Sequence, residues 1–212
     1  PDSVQSLIAK PFAKETSCSE DLFHGMGRED IDAAMLGSGR PFVLELRMPR
    51  KREIDLVQME KEINEGNEGR IGVNNLKFVD RKRVAELKNT VCDKTYRVDV
   101  SIRDKIPIES LKKASQRLTG TVIEQRTPTR VSHRRADLIR PRLINGVEVT
   151  SLQEYMAELV IKAQHGTYIR ELVSGDEGRT VPSLSSLVNS VCKVEVLDVL
   201  HLHLDAKEEK NV

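Results

Sequence analysis

The stretch Asp93-Lys94-Thr95-Tyr96-Arg97-Val98-Asp99-Val100-Ser101-Ile102 decides the fold class. From Tyr96 to Ile102 every second residue is apolar and the residues between are polar, the period of a strand with one buried face. Tyr155, Ala157, Leu159, Ile161 and Ala163 repeat that alternation in a second long strand. Shorter strands are read at 42–46, at 71–78 with a turn at Asn74-Asn75, at Val122-Ile123 and at 194–200. Asn145-Gly146, between short apolar runs, signals a hairpin. Helices are expected where Ile54, Val57, Glu60 and Ile63 sit three apart before Gly66. Two more are expected where Leu111, Ala114 and Leu118 precede Gly120, and at 168–174 before Gly175. Strands outnumber helices and do not alternate with them, which argues α+β with an antiparallel or mixed sheet.

A chain of 212 residues can bury a core without covalent staples. No apolar run reaches the roughly 18 residues of a membrane span, so no membrane partner is expected. Cys18, Cys92 and Cys192 are odd in number, far apart and form no C-x-x-C. That argues against a zinc knuckle and for a reducing, intracellular compartment, cytoplasm or nucleus. The glycines of 66–72 are not followed by Lys-Ser/Thr, so they form no phosphate loop. No metal and no small-molecule cofactor is expected. The chain opens on Pro1 with no leader, so it is expected to be part of something longer. Residues 1–20 show no clear period and are read as a lead-in segment, and 205–212 as a charged tail.

The formal charge is only +1, from 34 basic and 33 acidic side chains, yet the charges are not evenly spread. Arg40, Arg47, Arg50, Lys51 and Arg52 meet one acid, Glu45. Arg126, Arg130, Arg134, Arg135, Arg140 and Arg142 meet only Asp137, with His133 as a conditional cation. Guanidinium forks suit phosphate, whereas a salt-bridged, solvated face is the plainer alternative. With three Tyr, four Phe and no Trp, a stacking platform for single strands is not visible, so backbone contacts and shape would dominate RNA binding.

The run Gly25-Met26-Gly27-Arg28-Glu29-Asp30-Ile31-Asp32 is the most unusual. Its carboxylates admit three readings: a D-x-D metal site, caps of a helix beginning near Ile31, or one catalytic carboxylate on a loop. Spacing alone does not choose between them.

Gly27-Arg28-Glu29-Asp30 resembles the G-R-x-D loop of pseudouridine synthases. The longer runs GREDID…MLGSGRPFVLEL, QRTPTRVSHRRADLIRPR and GTYIRELVSGDEGRTVPSLSSL resemble the archaeal and eukaryotic branch acting on the two TΨC-loop uridines of tRNA. The resemblance covers about Phe23 to Leu204. It implies the pseudouridine-synthase catalytic fold over 21–204, a mixed, largely antiparallel sheet with flanking helices and loops. It implies that Asp30 is the catalytic aspartate. Tyr96, in the K-x-Y of 94–96, matches the tyrosine that stacks on the target base. Arg170, in Gly-Thr-Tyr-Ile-Arg, matches the basic partner of that aspartate. Leu187 matches the leucine packed under the site, Leu184 being the less favoured register, and Leu187 is expected to be core whether or not it has that role. The implied partner is tRNA, met by Arg28, Arg40, Arg126, Arg130, His133, Arg134, Arg135 and Arg140. An N-terminal RNA-binding region, implied for the branch, is absent from this sequence. One position departs: Ala34 stands where D-V-R-M-L-G has Arg. The alternatives are a non-catalytic RNA-binding module that kept the fold and, more weakly, a metal-dependent nuclease using Asp30 and Asp32.

Overall fold

The computed structural model of the chain describes residues 2–27 and 33–204. In chain order its first elements are α1 (Val4–Thr16), β1 (Glu20–Gly25), β2 (Ala33–Met35), β3 (Phe42–Arg47), α2 (Leu56–Gly66) and α3 (Lys82–Asn89). Then come β4 (Asp93–Ile102), α4 (Ile108–Leu118), β5 (Thr121–Arg126), β6 (Ile139–Gln153) and β7 (Met156–Ala163). The last are α5 (Ile169–Ser174), β8 (Thr180–Val181), α6 (Leu184–Val188) and β9 (Cys192–His203). The described residues form two compact units, 2–27 with 40–90 and 33–39 with 91–204. The stretch 21–204, expected as one domain, therefore contributes to both.

The first unit pairs β1 and β3 antiparallel. Its core holds Ile8, Phe12, Met59, Ile63 and Val73, with the Phe23 and Phe42 rings stacked at 5.1 Å. The expected lead-in at 1–20 is instead helix α1, started by a reciprocal Ser3–Ser6 capping box and burying Ile8 and Phe12. Helix α2 forms as expected and Ile63 of the expected series is buried, but Val57 is not on the buried side. Val57 is 81% exposed, while Met59 and Ile63, four apart, are buried. The strand and turn expected at 71–78 do not form. Here one side chain replaces a strand partner: Asn64 Oδ1 accepts from the Val73 N–H at 2.7 Å and its Nδ2 donates to the Val73 carbonyl at 2.9 Å.

The second unit is α+β. Its sheet runs β2-β9-β4-β7-β6-β5-β8, with β2 parallel to β9 and the other pairs antiparallel, hence mixed. Strand β4 buries Tyr96, Val98, Val100 and Ile102, and β7 buries Ala157, Leu159, Ile161 and Ala163, so only one face is core. Onto that face α4 turns Leu111, Ala114 and Leu118, α5 turns Leu172 and Val173, and α6 turns Leu184. The hairpin expected at Asn145-Gly146 is absent. β6 runs straight through these residues, and a shift of register between Ile144 and Gly146 absorbs the extra residue as a bulge. The chain reverses at Glu154-Tyr155, where Gln153 pairs with Met156 and Glu154 takes φ 50°.

Candidate active site

Two expected site residues, Arg28 and Asp30, lie outside the described residues, as do Glu29, Ile31 and Asp32. From Ala33 the chain is strand β2. Met35 pairs with Val199 of β9 and Val199 pairs with Tyr96 of β4, so the three occupy one row of the sheet. Beyond β2 the chain stays on β9: the Leu36 and Gly37 N–H groups donate to the Val199 carbonyl, and Ser38 donates to Leu200. A Cβ at Gly37 would fall 1.4 Å from the Leu200 oxygen, so only glycine permits this approach. A helix starting near Ile31 is thereby excluded from residue 33 onward.

Strand register sorts the remaining side chains. Tyr96 lies opposite Ile161, Lys94 opposite Ala163, and Ala163 opposite Ile144. Alternation carries that face of β6 back through Arg142, opposite buried Ile123, to Arg140, opposite buried Gln125. Lys94, Tyr96, Arg140 and Arg142 therefore share the face that carries the core. Tyr96 is 6% exposed and stands where the apolar rows of β4 give way to Lys94. Ala34, opposite Asp198, is on the other face. There Asp198, buried, accepts from Arg97 at 2.6 Å.

Arg170 comes to the core face from above. Gln125 grips the chain just before it: its Nε2 donates to the Tyr168 carbonyl at 3.0 Å and its Oε1 accepts the Tyr168 N–H at 2.7 Å. Gly166 turns with φ +74°, α5 starts, and Gly175 in the left-handed region ends it. So held, the Arg170 guanidinium donates to the Val194 carbonyl of β9 at 3.1 Å. Leu187, expected to be core, is only half-buried. Leu184, on the same short helix, is the fully packed one at 1% exposure. The α6 turn is fixed by Ser185, whose hydroxyl donates to the Val173 carbonyl and accepts the Cys192 N–H.

The basic stretch divides by partner. Arg126 holds Asp137 through Nε at 2.9 Å, and Arg179 adds a second bond to that carboxylate at 2.8 Å. The Arg126 hydrogen bond is the main cause holding the Asp137 carboxyl below its ordinary range. Arg179 also donates to the Thr127 carbonyl, while the Thr127 hydroxyl donates to the Ala136 carbonyl, so the segment between is closed at its base. Arg130 turns inward onto buried Glu171 at 2.7 Å, its guanidinium 5.7 Å from the Tyr168 ring centre. His133, Arg134 and Arg135, around the 3-10 turn Thr129–Arg134, are exposed. Arg140 donates to the Thr127 hydroxyl at 3.0 Å. Arg40, in the first unit, donates to the Met26 carbonyl at 3.0 Å. Sequence reading missed Gln125, Arg142 and Arg179 as site-forming residues. For the first two the available signal was alternation: each sits on the inward side of a strand, where a polar residue must have a purpose.

Comparison with known proteins agrees with this architecture. The family model described as "Pus10, C-terminal" matches residues 1–203. The chain is 48% identical over 203 residues to tRNA pseudouridine synthase Pus10 of Methanocaldococcus jannaschii, covering 96% of this chain and 44% of that protein. It is 45% identical to the Pus10 of Methanothrix thermoacetophila (94% and 44% covered) and 44% identical to that of Archaeoglobus fulgidus (93% and 55%). It thus spans about half the length of these relatives. Among solved structures, a chain of a Cbf5-Nop10-Gar1 complex superposes with a TM-score of 0.57 at 13% identity, covering 92% of this chain and 44% of that one, a likeness of fold. With its matched span running from residue 1 to residue 203, the chain belongs to the Pus10 C-terminal family.

Proposed function

We propose that the chain is the catalytic part of a tRNA pseudouridine synthase, isomerising uridine to pseudouridine in the TΨC arm. The observation that carries this reading is the family match over nearly the whole chain, with relatives near half-identical that are named tRNA pseudouridine synthases. The reaction breaks the C1′–N1 glycosidic bond, turns the uracil and rejoins it through C5. Atoms and electrons balance within one nucleotide, so the isomerisation itself calls for no redox or group-carrying cofactor. It needs an ionised carboxylate at the ribose, the role of Asp30. Desolvation by a bound base favours the neutral acid, and a guanidinium opposes that, the role of Arg170. Tyr96 offers a ring to the detached uracil, and Leu187 packs beneath it. Extruding the target uridine costs a few kcal/mol, which pocket stacking and phosphate contacts offset. His133, Arg134 and Arg135 supply such contacts, and the relatives' further length is read as an N-terminal RNA-binding region. The enzyme would work where tRNA is modified, in cytoplasm or nucleus. Among the described residues no helix is long and apolar enough to cross a membrane.

Tritium release from tRNA labelled at uridine C5 tests the reading. Asp30→Asn should bring release to background while tRNA binding survives, and Asp32→Asn should do much less. Near wild-type release by Asp30→Asn would refute the assignment. Release abolished by a chelator would instead favour metal chemistry.

A further inference from the structure

Arg142 differs from the arginines near it that are braced by a carboxylate, and from exposed Arg134 and Arg135 in being partly buried. Arg126 and Arg179 share Asp137, Arg130 has Glu171, and Arg97 of β4 has Asp198. Arg142 has no carboxylate among the described residues. Its Nη1 donates to the Pro141 carbonyl at 2.8 Å, while its Nε is buried and meets no acceptor there. The guanidinium lies flat against the turn that leads into α5: a Cβ at Gly166 would be 3.3 Å from Nη2 and 3.5 Å from Nε. Burial, and then the Arg140 cation beside it, both hold its pKa below the usual arginine range, though the group stays charged. A half-buried cation with an unmet donor and a like charge alongside is costly unless an anion completes it.

We propose that Arg142, backed by Arg140, binds a phosphate of the RNA strand on the sheet face that carries Lys94 and Tyr96. This rests on the reading of the chain as an RNA-modifying enzyme and adds a contact to it. A phosphodiester supplies what the site lacks: charge opposite two arginines and oxygens for the Nε–H and Nη2–H fork. Glycine at 166 lets the turn approach the guanidinium closely and puts no side chain against the fork. With the phosphate fixed there, the bound strand has one anchor on the same face as the tyrosine that receives the base, which ties strand register to base position.

Two measurements test it on the intact protein. In the first, the Arg142 Nε–Hε resonance, identified by its loss in Arg142→Lys, is followed by NMR during titration with inorganic phosphate. It should shift and saturate; a resonance that does not move overturns the proposal. In the second, tRNA affinity is measured against salt for wild type and Arg142→Gln, with pseudouridine formation by wild type assayed alongside. The variant should bind about tenfold more weakly, the scale of one charge-assisted hydrogen bond. Its log–log salt slope should be shallower by about 0.7–0.9, one phosphate's worth. Unchanged affinity and slope, in a preparation whose wild type makes pseudouridine, overturn the phosphate site and leave the enzyme reading standing. A lowered slope with no pseudouridine from wild type does the reverse. If Arg142→Gln does not fold, Arg142→Lys decides: it should keep most of the slope yet bind tRNA several-fold more weakly, because a point charge replaces the fork, and full wild-type affinity in it would overturn the role of the fork.

Discussion

Arg130 and Arg142 belong to one basic stretch and end in opposite circumstances. Arg130 turns onto Glu171, which is 6% exposed, and its charge holds the 3-10 turn against α5. Arg142 turns onto a glycine and a carbonyl, and its charge is left over. Side by side in the sequence they read alike. In the fold, one is a brace and the other is an unanswered cation. A count of basic residues therefore says little about where an anion binds until each guanidinium has been assigned its carboxylate.

The largest effect that would break this contrast is at Glu171. Glu171→Ala should destabilise the protein by about 2 kcal/mol, below the figure for a fully buried pair because Arg130 reaches solvent on one side. For a chain of this size that lowers the melting temperature by about 4–8 °C. An unchanged melting curve would mean that the pair is not a brace, and Arg130 would rejoin the candidate RNA contacts. Next comes the exposed pair. Arg134→Ala with Arg135→Ala should flatten the salt slope of tRNA binding by about 1.4–1.8, two phosphates' worth, while stability stays within about 0.5 kcal/mol. Arg130 is left out of this variant because it holds Glu171. An unaltered slope would return 133–135 to a plain solvated face. The smallest effect is at Asp137. Its carboxyl is held below its ordinary 3.8 first by the Arg126 hydrogen bond. A depressed carboxylate contributes stability that is full above that ordinary value and is lost as pH falls through the lowered one. The melting difference between wild type and Asp137→Asn should accordingly be present at pH 5 and shrink steadily below pH 3.8. A difference that persists through the acid limb would show that the charge on Asp137 does not matter.

Much of the second unit was legible because its signals are local. Alternation in β4 and β7 needs only residues two apart, and α4 and α5 end at glycines in positive φ or just beyond. The failures share a cause as well. Asn145-Gly146 has hairpin chemistry, but the pairing of β6 with both β5 and β7 outweighs it and the dipeptide becomes a bulge. At 71–78, Ile71, Val73 and Leu76 serve a core reached through Asn64, not through a strand, and Phe78 is exposed. Helix α2 has two apolar series, and only packing selects Met59 and Ile63 over Val57. The site followed the same rule. Tyr96 and Arg170 stand in short, recognisable runs. The pairing of Arg130 with Glu171, and the sharing of a face by Arg142 and Tyr96, depend on register between segments far apart in the chain, which no window of sequence contains.

The hold on Arg170 comes down to Gln125. Its amide meets the donor and the acceptor of one residue, Tyr168, at once. A hydroxyl could in principle give and take but lacks the span to face both groups. A carboxylate has the span yet offers only lone pairs at neutral pH, and asparagine falls one methylene short. Position 125 therefore tolerates almost no chemical alphabet. It behaves as a piece of main chain borrowed from the side, and so does Asn64 at Val73. Where a protein makes a side chain stand in for a neighbouring strand, it trades the redundancy of a ladder for a single two-pronged joint. The backbone that leads into Arg170 is then held by one residue that carries no charge and would pass in any survey of composition as filler.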